Sequence, residues 1–575
     1  MKTRLSFQNP VPAGSALVLT MVMTGVALAI MAGAMAWSAS NAKLTDRSNR
    51  YTRSVGAAEA ATEKVVSLIS RDFLLGGEKL VRNNLASYRT AVPTAADSSY
   101  WADWEFNDAN GGIGQTFVAS GTASNYAVLN SAYAGLRGFA TTYTVVSDAH
   151  QPGFTEDVTG AVLQQLQLAR IPIFQFAMYS SGDMEISCGA PFAITGRVHS
   201  NKQLYVEPAS SLTFASDVTA VGNILFQRHP LDSRAPPTGT VLYQEAGQPL
   251  PNQPPLYLPI GMTNTPSAIR EIIEPPPAGE DPNSPIGQQR YYNLAELILT
   301  VSDTGTNATS GSFNGFTTTV PTNELGVFVT MGNSFYDDRE SKTMRTIDID
   351  VAAFKAWSAT NSSLRVALGY KDVSSIYIWD RRSPIAGTLR AVRVLNGAQL
   401  PPLGLTVATA RPLYVEGHYN QSNPANLGTT NTSTSLPASL VGDAITILSQ
   451  NWNDANNWGS RSAKPTTVNA AILAGAVDTV QGLYGGGMEN FPRFLEDWSG
   501  NTFTYNGSMV KMFPSRYATN TWGKPNVYVP PNRNWAYDIN FEDGAKLPPL
   551  TPSLQKVVRS LWTTVAPNRT TVAGP

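Results

Sequence analysis

The residues best equipped for chemistry in this chain of 575 gather in two short phrases. Asp337-Asp338-Arg339-Glu340 sets carboxylates around a guanidinium, and Arg493 stands just before Glu496-Asp497. Paired carboxylates divide acid and base work in glycan cleavage when burial drives their pKa values apart. The plainer reading, adopted here, is that Arg339 and Arg493 pair with neighbouring acids and steady turns. His150, His199, His229 and His418 are widely spaced, with no HExxH or HxxxH arrangement, so the sequence offers no multi-histidine metal site. His199 and His418 both lie in Gly- and Asn-rich corner phrases, and stacked corners are able to bring them side by side. Cys188 is the single cysteine, which excludes an intramolecular disulfide and a multi-cysteine zinc site. No basic neighbour lowers its pKa, so it reads as a small core residue. Gly485-Gly486-Gly487 lacks the following Lys-Ser/Thr of a phosphate loop and reads as a turn. No catalytic, cofactor-binding or metal residue is assigned, and the chain is expected not to be an enzyme.

Composition sets the frame that must hold these phrases. Charged residues make up 14%, against about 25% in an ordinary soluble domain. Ser, Thr, Asn and Gln take their place, which suits a β-rich extracytoplasmic protein. The 41 basic and 42 acidic residues leave a net charge of −1, with no excess to neutralise phosphates, so nucleic acid is not an expected partner. With 11 Trp, 22 Tyr and 21 Phe the chain has ample material for a core, and general disorder is excluded.

The amino terminus is the most informative stretch. Lys2 and Arg4 are the only charges before Lys43, and residues 16–37 are almost wholly apolar. As a helix this run spans roughly 33 Å, enough to cross a bilayer core. Three readings follow: a secretory signal cleaved after Ala36, an uncleaved anchor, or a prepilin-like segment whose basic leader ends at Gly14 and whose mature chain begins at Ser15. Both flanks are basic, with Lys43, Arg47, Arg50 and Arg53 against Asp46, so charge alone does not orient the segment. The β-type remainder argues for a carboxyl terminus outside the cytoplasm, in the periplasm or at the cell surface. Gly25, Ala29 and Gly33 recur every fourth residue, a spacing that puts small residues on one helix face for close helix–helix packing. Beyond the apolar run, Val55, Ala58, Thr62, Val65, Ile69 and Phe73 keep a helical period until Gly76-Gly77.

The leader, the Gly14/Ser15 junction and Ser54-Val55-Gly56-Ala57-Ala58-Glu59-Ala60-Ala61 resemble the amino-terminal region of PilX-type pilus-assembly proteins over about residues 10–75. The resemblance implies leader removal by a prepilin peptidase, a helix that packs against other pilin-like subunits, and an exterior domain. Major pilins carry Glu at the fifth mature position, where this chain has Leu19. That departure points to a minor component or an anchored protein rather than a bulk filament subunit.

Past residue 170, short apolar runs such as 184–186, 192–194 and 204–206 alternate with Gly, Asn, Asp or Pro at spacings near ten, without a strict period. They fit a β-solenoid-like body, with a β-sandwich as the alternative. Four phrases, Ile194-Thr195-Gly196-Arg197-Val198-His199-Ser200-Asn201 and the stretches 412–420, 443–449 and 491–498, resemble a family of bacterial exported proteins without a firmly assigned activity.

The expected fold is therefore mainly β with one long N-terminal α-helix. Its expected parts are a leader (1–14), a pilin-like transmembrane and extended helix (15–88), an α/β connecting region (89–170), a first β-rich part (171–229), a Pro-rich insertion exposed as a loop (230–289), a second β-rich part (290–530) and a C-terminal tail (531–575). The expected function is that of a non-enzymatic, membrane-anchored minor pilin or assembly factor, with a surface polysaccharide or a protein as the ligand of the β body. An anchored polysaccharide-active enzyme or binder, and a minor pseudopilin of a type II secretion system, are the alternatives.

Overall fold

The computed structural model describes residues 13–108, 110–121, 125–129, 135–153, 158–244, 249–303, 305–310, 319–320 and 322–567. Residues 1–12 of the expected leader lie outside the described residues. Strand accounts for 34% and helix for 25%, so the protein is mainly β.

Helix α1 (Ala13–Asn83) is one rod with two characters. Its first part is exposed throughout residues 15–40. Its second part buries Ala57, Ala58, Ala61, Val65, Ile69 and Phe73, the three- and four-residue stripe that an amphipathic helix needs. The rod breaks at Gly76 and Gly77, where Gly77 takes φ 70°, a left-handed geometry that costs glycine nothing. The Leu75 carbonyl freed near this break accepts from the Gly261 N–H at 2.8 Å.

The buried half of α1 lies on a six-stranded antiparallel sheet. Strands β4 (Arg137–His150) and β5 (Gly160–Pro172) form its centre. The short strands β1 (Glu105–Asn107), β2 (Phe117–Ser120) and β3 (Asn125–Val128) line the free edge of β4. The other edge of β5 is taken by Ser553–Val565, from the stretch expected as a C-terminal tail. Val65, Ile69 and Phe73 of α1 pack with Tyr143, Val145 and Leu166 of the sheet. Toward its amino end the helix comes closer still. A Cβ on Gly160 would lie 2.4 Å from the Val55 nitrogen. The Ala-rich stretch 54–61 is thus the thin side of the helix, and only glycine fits opposite it. Ser54 Oγ donates to the Val158 carbonyl at 2.9 Å, and Gln164 Nε2 donates to Thr62 Oγ1 at 3.0 Å, closing the seam with hydrogen bonds.

Everything between β5 and that closing strand forms the body. Its main sheet has 11 strands, which pair in parallel from Val218–Ala220 at one end to Leu297–Ser302. A second sheet stacks Lys342–Asp350, Thr388–Leu395, Leu413–Glu416, Ile445–Leu448 and Pro492–Phe494 in parallel. A third stacks Thr466–Asn469, Thr502–Gly507 and Asn532–Tyr537 in parallel. The body is thus a β-rich stack of short strands paired in parallel, unlike the antiparallel layers of a sandwich.

Two features escaped the sequence reading. The first is a strict repeat. Met184 pairs with Leu204 and Leu204 with Ile224, Phe192 pairs with Leu212, and Val198 with Val218. Ladder contacts 20 residues apart run along the outside, from Asp183 to the Gln203 N–H and from Gln203 to the Asn223 N–H. The second is the order of the rungs. Phe176–Ser180 pairs with Met509–Pro514, so the first part of the body continues the stack where the last coil ends.

The Pro-rich stretch lies open only in its first half: up to residue 255 none of its described residues is buried. Leu256, Leu258, Ile269, Ile272 and Ile273 join the main core. Arg270, 3% exposed, donates through Nη1 to Asp443 Oδ1 at 2.6 Å. Asp443 also accepts from Ser515 Oγ and from the N–H groups of Arg516, Tyr517 and Ala518. One buried carboxylate thereby ties the insertion to the stack.

Candidate functional site

Two places carry the residues singled out from the sequence. The first is the exposed half of α1, whose best window has a mean hydropathy of 2.2. It is the one helix among the described residues long and apolar enough to cross a membrane. Leu17, Val18, Leu19, Met21 and Ile30 are each more than half exposed, a naked apolar surface that none of the described residues covers. The hydroxyls of Thr20 and Thr24 are turned back onto the Ala16 and Thr20 carbonyls at 3.0 and 2.7 Å, which suppresses their polarity. Ser15, Gly25, Ala29 and Gly33 all lie on this exposed stretch, and Gly14 lies in its first turn. A Cβ added at Gly25 or Gly33 would meet nothing within 4 Å, so no packing inside this chain requires glycine there. Basic residues begin where the apolar run stops, and Arg50 pairs with Asp46 at 2.6 Å.

The second place joins the two acidic-basic phrases. Stacking of the coils brings Arg493 to Glu340, 153 residues away, as a buried ion pair. Glu340 also accepts from the Thr519 and Asn520 N–H groups, each at 3.1 Å. Asp337 accepts from the Tyr414 hydroxyl at 2.7 Å and from the Glu340 N–H at 2.9 Å. Asp338 pairs with Arg461 at 2.6 Å, and burial raises its pKa. Glu496 lies elsewhere in the network. It accepts from Ser449 Oγ at 2.7 Å and from the Ser449 N–H at 2.6 Å, and burial raises its pKa. Asp497 is half-buried and accepts from the Ser499 N–H, and hydrogen bonds from the Ser499 side chain and backbone lower its pKa. Each of these carboxylates is held by donors of the fold.

Arg339 is the exception in this turn. It is 3% exposed, and its Nε and Nη1 meet no acceptor. Burial, with Arg493 nearby, pushes it down to about 9. Glu185 lines the same cavity as Arg339, and Glu207 and Glu489 lie near Glu185; sequence reasoning missed all three. Glu489 accepts from the Tyr484 hydroxyl at 2.7 Å, Glu207 pairs with Arg228 at 2.9 Å, and Glu185 accepts from Thr479 Oγ1 at 2.9 Å. Burial pushes Glu185 up to about 7. Glu185 and Glu207 belong to successive coils, and only the 20-residue register would have revealed their approach.

The histidines do not meet. His199 Nδ1 bonds Thr219 Oγ1 at 2.8 Å and its Nε2 bonds Asn201 Oδ1 at 3.0 Å, while burial pushes it down to about 4. His418 Nδ1 accepts from the Thr467 N–H at 3.0 Å. Their coils are five steps apart in the main sheet, about 24 Å at the usual strand spacing. Cys188 is buried among apolar residues, and burial pushes its thiol up to about 12. Gly485-Gly486-Gly487 is an irregular run rather than a phosphate loop, with φ 120° at Gly486 and 65° at Gly487.

No family matches the chain, and no curated protein matches it. Among solved structures, the competence-associated pilin ComZ from Thermus thermophilus aligns over 90% of this chain and 98% of its own, at 9% identity and a TM-score of 0.28. A TM-score that low fixes nothing about this chain.

Proposed function

We propose that the protein is a non-enzymatic, membrane-anchored, pilin-like subunit, a minor component or assembly factor of a type IV pilus-like system, which displays the parallel-coil body outside the cytoplasm. The observation that carries the reading is the division of α1. One half is a naked apolar rod bearing Gly25, Ala29 and Gly33, and the other half is packed on an antiparallel sheet. A rod of this kind serves a bilayer first and neighbouring helices afterwards. The small residues with open space above them fit the second use. Leader removal between Gly14 and Ser15 would free the rod for assembly. Leu19 in place of the major-pilin Glu favours a minor subunit over a bulk one. The carboxylates that a glycan-cleaving alternative would need are held in ion pairs and turn bonds, which weighs against that alternative.

The mature amino terminus tests the proposal. Mass spectrometry of the protein from the membrane fraction of its native host is expected to give a chain beginning at Ser15. A chain beginning at Trp37 would make it an ordinary secreted protein, and one retaining Met1 a simple anchor. Either result would overturn the assembly role.

A further inference from the structure

A buried guanidinium needs a counter-charge as well as acceptors, because an isolated charge in a low-dielectric interior is costly. Among the described residues, Arg339 Nε and Nη1 meet no acceptor, and the acids nearest to it are engaged by other donors. Of the acids around it, Glu340 is spent on Arg493 and two N–H groups, Asp337 on Tyr414, and Asp338 on Arg461. Arg339 lines a cavity of about 30 Å³, together with Arg493, Lys511, Asn490 and the glycine run at 485–487. That is room for one or two bodies the size of water, far below the several hundred Å³ of a sugar or nucleotide site.

The glycine run makes the wall thin. A Cβ on Gly485 would lie 2.3 Å from the Val477 carbonyl oxygen, and one on Gly487 would lie 2.3 Å from the Tyr484 hydroxyl. Neither position accepts a side chain, so the backbone itself bounds the space beside the guanidinium. Arg493 and Lys511 add positive charge, although each already has an acidic partner, Glu340 and Asp478 respectively. Glu185 is the one acid on this wall among the described residues. It accepts from Thr479, faces the acidic Glu207 and Glu489 as well as Lys511, and burial pushes it up to about 7, so its own opposition to an anion is reduced.

We propose that this cavity is a halide site in which a single chloride-sized anion sits against Arg339 and supplies the counter-charge that the surrounding carboxylates do not. A water molecule would satisfy the N–H groups but not the charge. A tetrahedral oxyanion asks for more room than the cavity gives. The anion would lock the turn Asp337–Glu340 to the glycine run at 485–487 and the coil carrying Lys511, which lie well over 100 residues further along the chain.

The test uses the full chain in detergent. Its thermal midpoint is measured in sodium chloride and sodium bromide against sodium gluconate at equal ionic strength, and crystals grown in bromide are examined for anomalous scattering. The wild type is expected to gain several degrees in either halide, with saturation, since ligand that binds only the folded state raises the midpoint. Bromide is expected as a peak beside the Arg339 guanidinium. Arg339→Gln is expected to lose the halide gain and the peak together. A wild type with equal midpoints in halide and gluconate overturns the proposal, as does a gain of the same size in Arg339→Gln. Should Arg339→Gln fail to fold, the wild-type bromide map decides alone, and a site without an anomalous peak refutes the halide.

Discussion

The head and the body of this protein are built by opposite rules. The head takes α1 and β1–β5 from one end of the chain and its closing strand from the other, so its edge pairing joins residues nearly 400 apart, as between Ala169 and Lys556. The body stacks short parallel strands, and in its first part successive rungs such as Met184–Ile186, Leu204–Val206 and Ile224–Leu225 meet after 20 residues. Their seams differ as well. Helix and sheet in the head meet through Ala and Gly at close range, with few charges. The coils of the body are tied by buried ion pairs such as Arg270–Asp443 and Arg393–Asp348. Close packing tolerates no added volume, whereas a buried pair tolerates no lost partner. The contrast teaches that the same chain is vulnerable to different substitutions in its two parts.

The sharpest way to break the contrast is to remove residues 553–575. The head is expected to lose its edge and the protection of the buried half of α1, while the coils stay folded, as read by amide exchange across both regions. Equal loss of protection in the coils would show that the two parts are one cooperative unit. Next, Asp443→Ala strands Arg270 and three backbone N–H groups in the body. It is expected to cost about 3–5 kcal/mol in a denaturant titration, with the exchange defect centred on the coils.

Titration separates the parts further, because two groups in the body work in opposite directions. His199 is pushed down to about 4, so its folded-state stability is fully present above the unfolded value near 6.5 and is lost as pH falls toward 4. Glu185 is pushed up to about 7, so its neutral form is favoured on folding, and that contribution is lost as pH rises from about 4.5 through 7. His199→Gln should therefore gain on wild type as pH falls from 6.5, and Glu185→Gln should gain as pH rises from 4.5, each by at most about 3 kcal/mol. Denaturant midpoints across pH 4–8 check both signs.

Smaller effects are expected in the head. Gly160→Ala presses a methyl group onto the backbone of α1 and should cost about 1–3 kcal/mol. Gly25→Leu, with open space above it, should leave the thermal midpoint unchanged within about 2 °C. On the proposed function it should still lower recovery with other pilin-like subunits from membranes.

Much of the head's helix was legible. The stripe from Val55 to Phe73 and the break at Gly76-Gly77 appear in the structure, because helical period and glycine are local signals. Short rungs such as Met184–Ile186, Phe192–Ile194 and Leu204–Val206 were legible for the same reason. Their repeat was not. The equivalent outward positions hold Asp183, Gln203 and Asn223, which share a hydrogen-bonding use rather than a residue type. The closing strand was hidden because its partner lies at the far end of the chain. The two acidic-basic phrases were visible one at a time, and the reading that Arg339 and Arg493 pair with their own neighbours held for neither. Arg493 found Glu340 through coil stacking, and Arg339 Nε and Nη1 found no acceptor among the described residues.

The topology has a mechanical consequence. Pro172, where the chain enters the body, and Ser553, where it returns, are register partners in the head sheet. Tension applied along α1 is therefore borne by shear between the helix, β5 and its antiparallel neighbours. The coils leave and rejoin the head at this one pair of positions, with side ties from the Gly261 N–H to the Leu75 carbonyl and from the Gln555 N–H to the Tyr257 carbonyl. The main path of the force stays in the head, and a coil stack of different length would leave by the same two residues without altering that path.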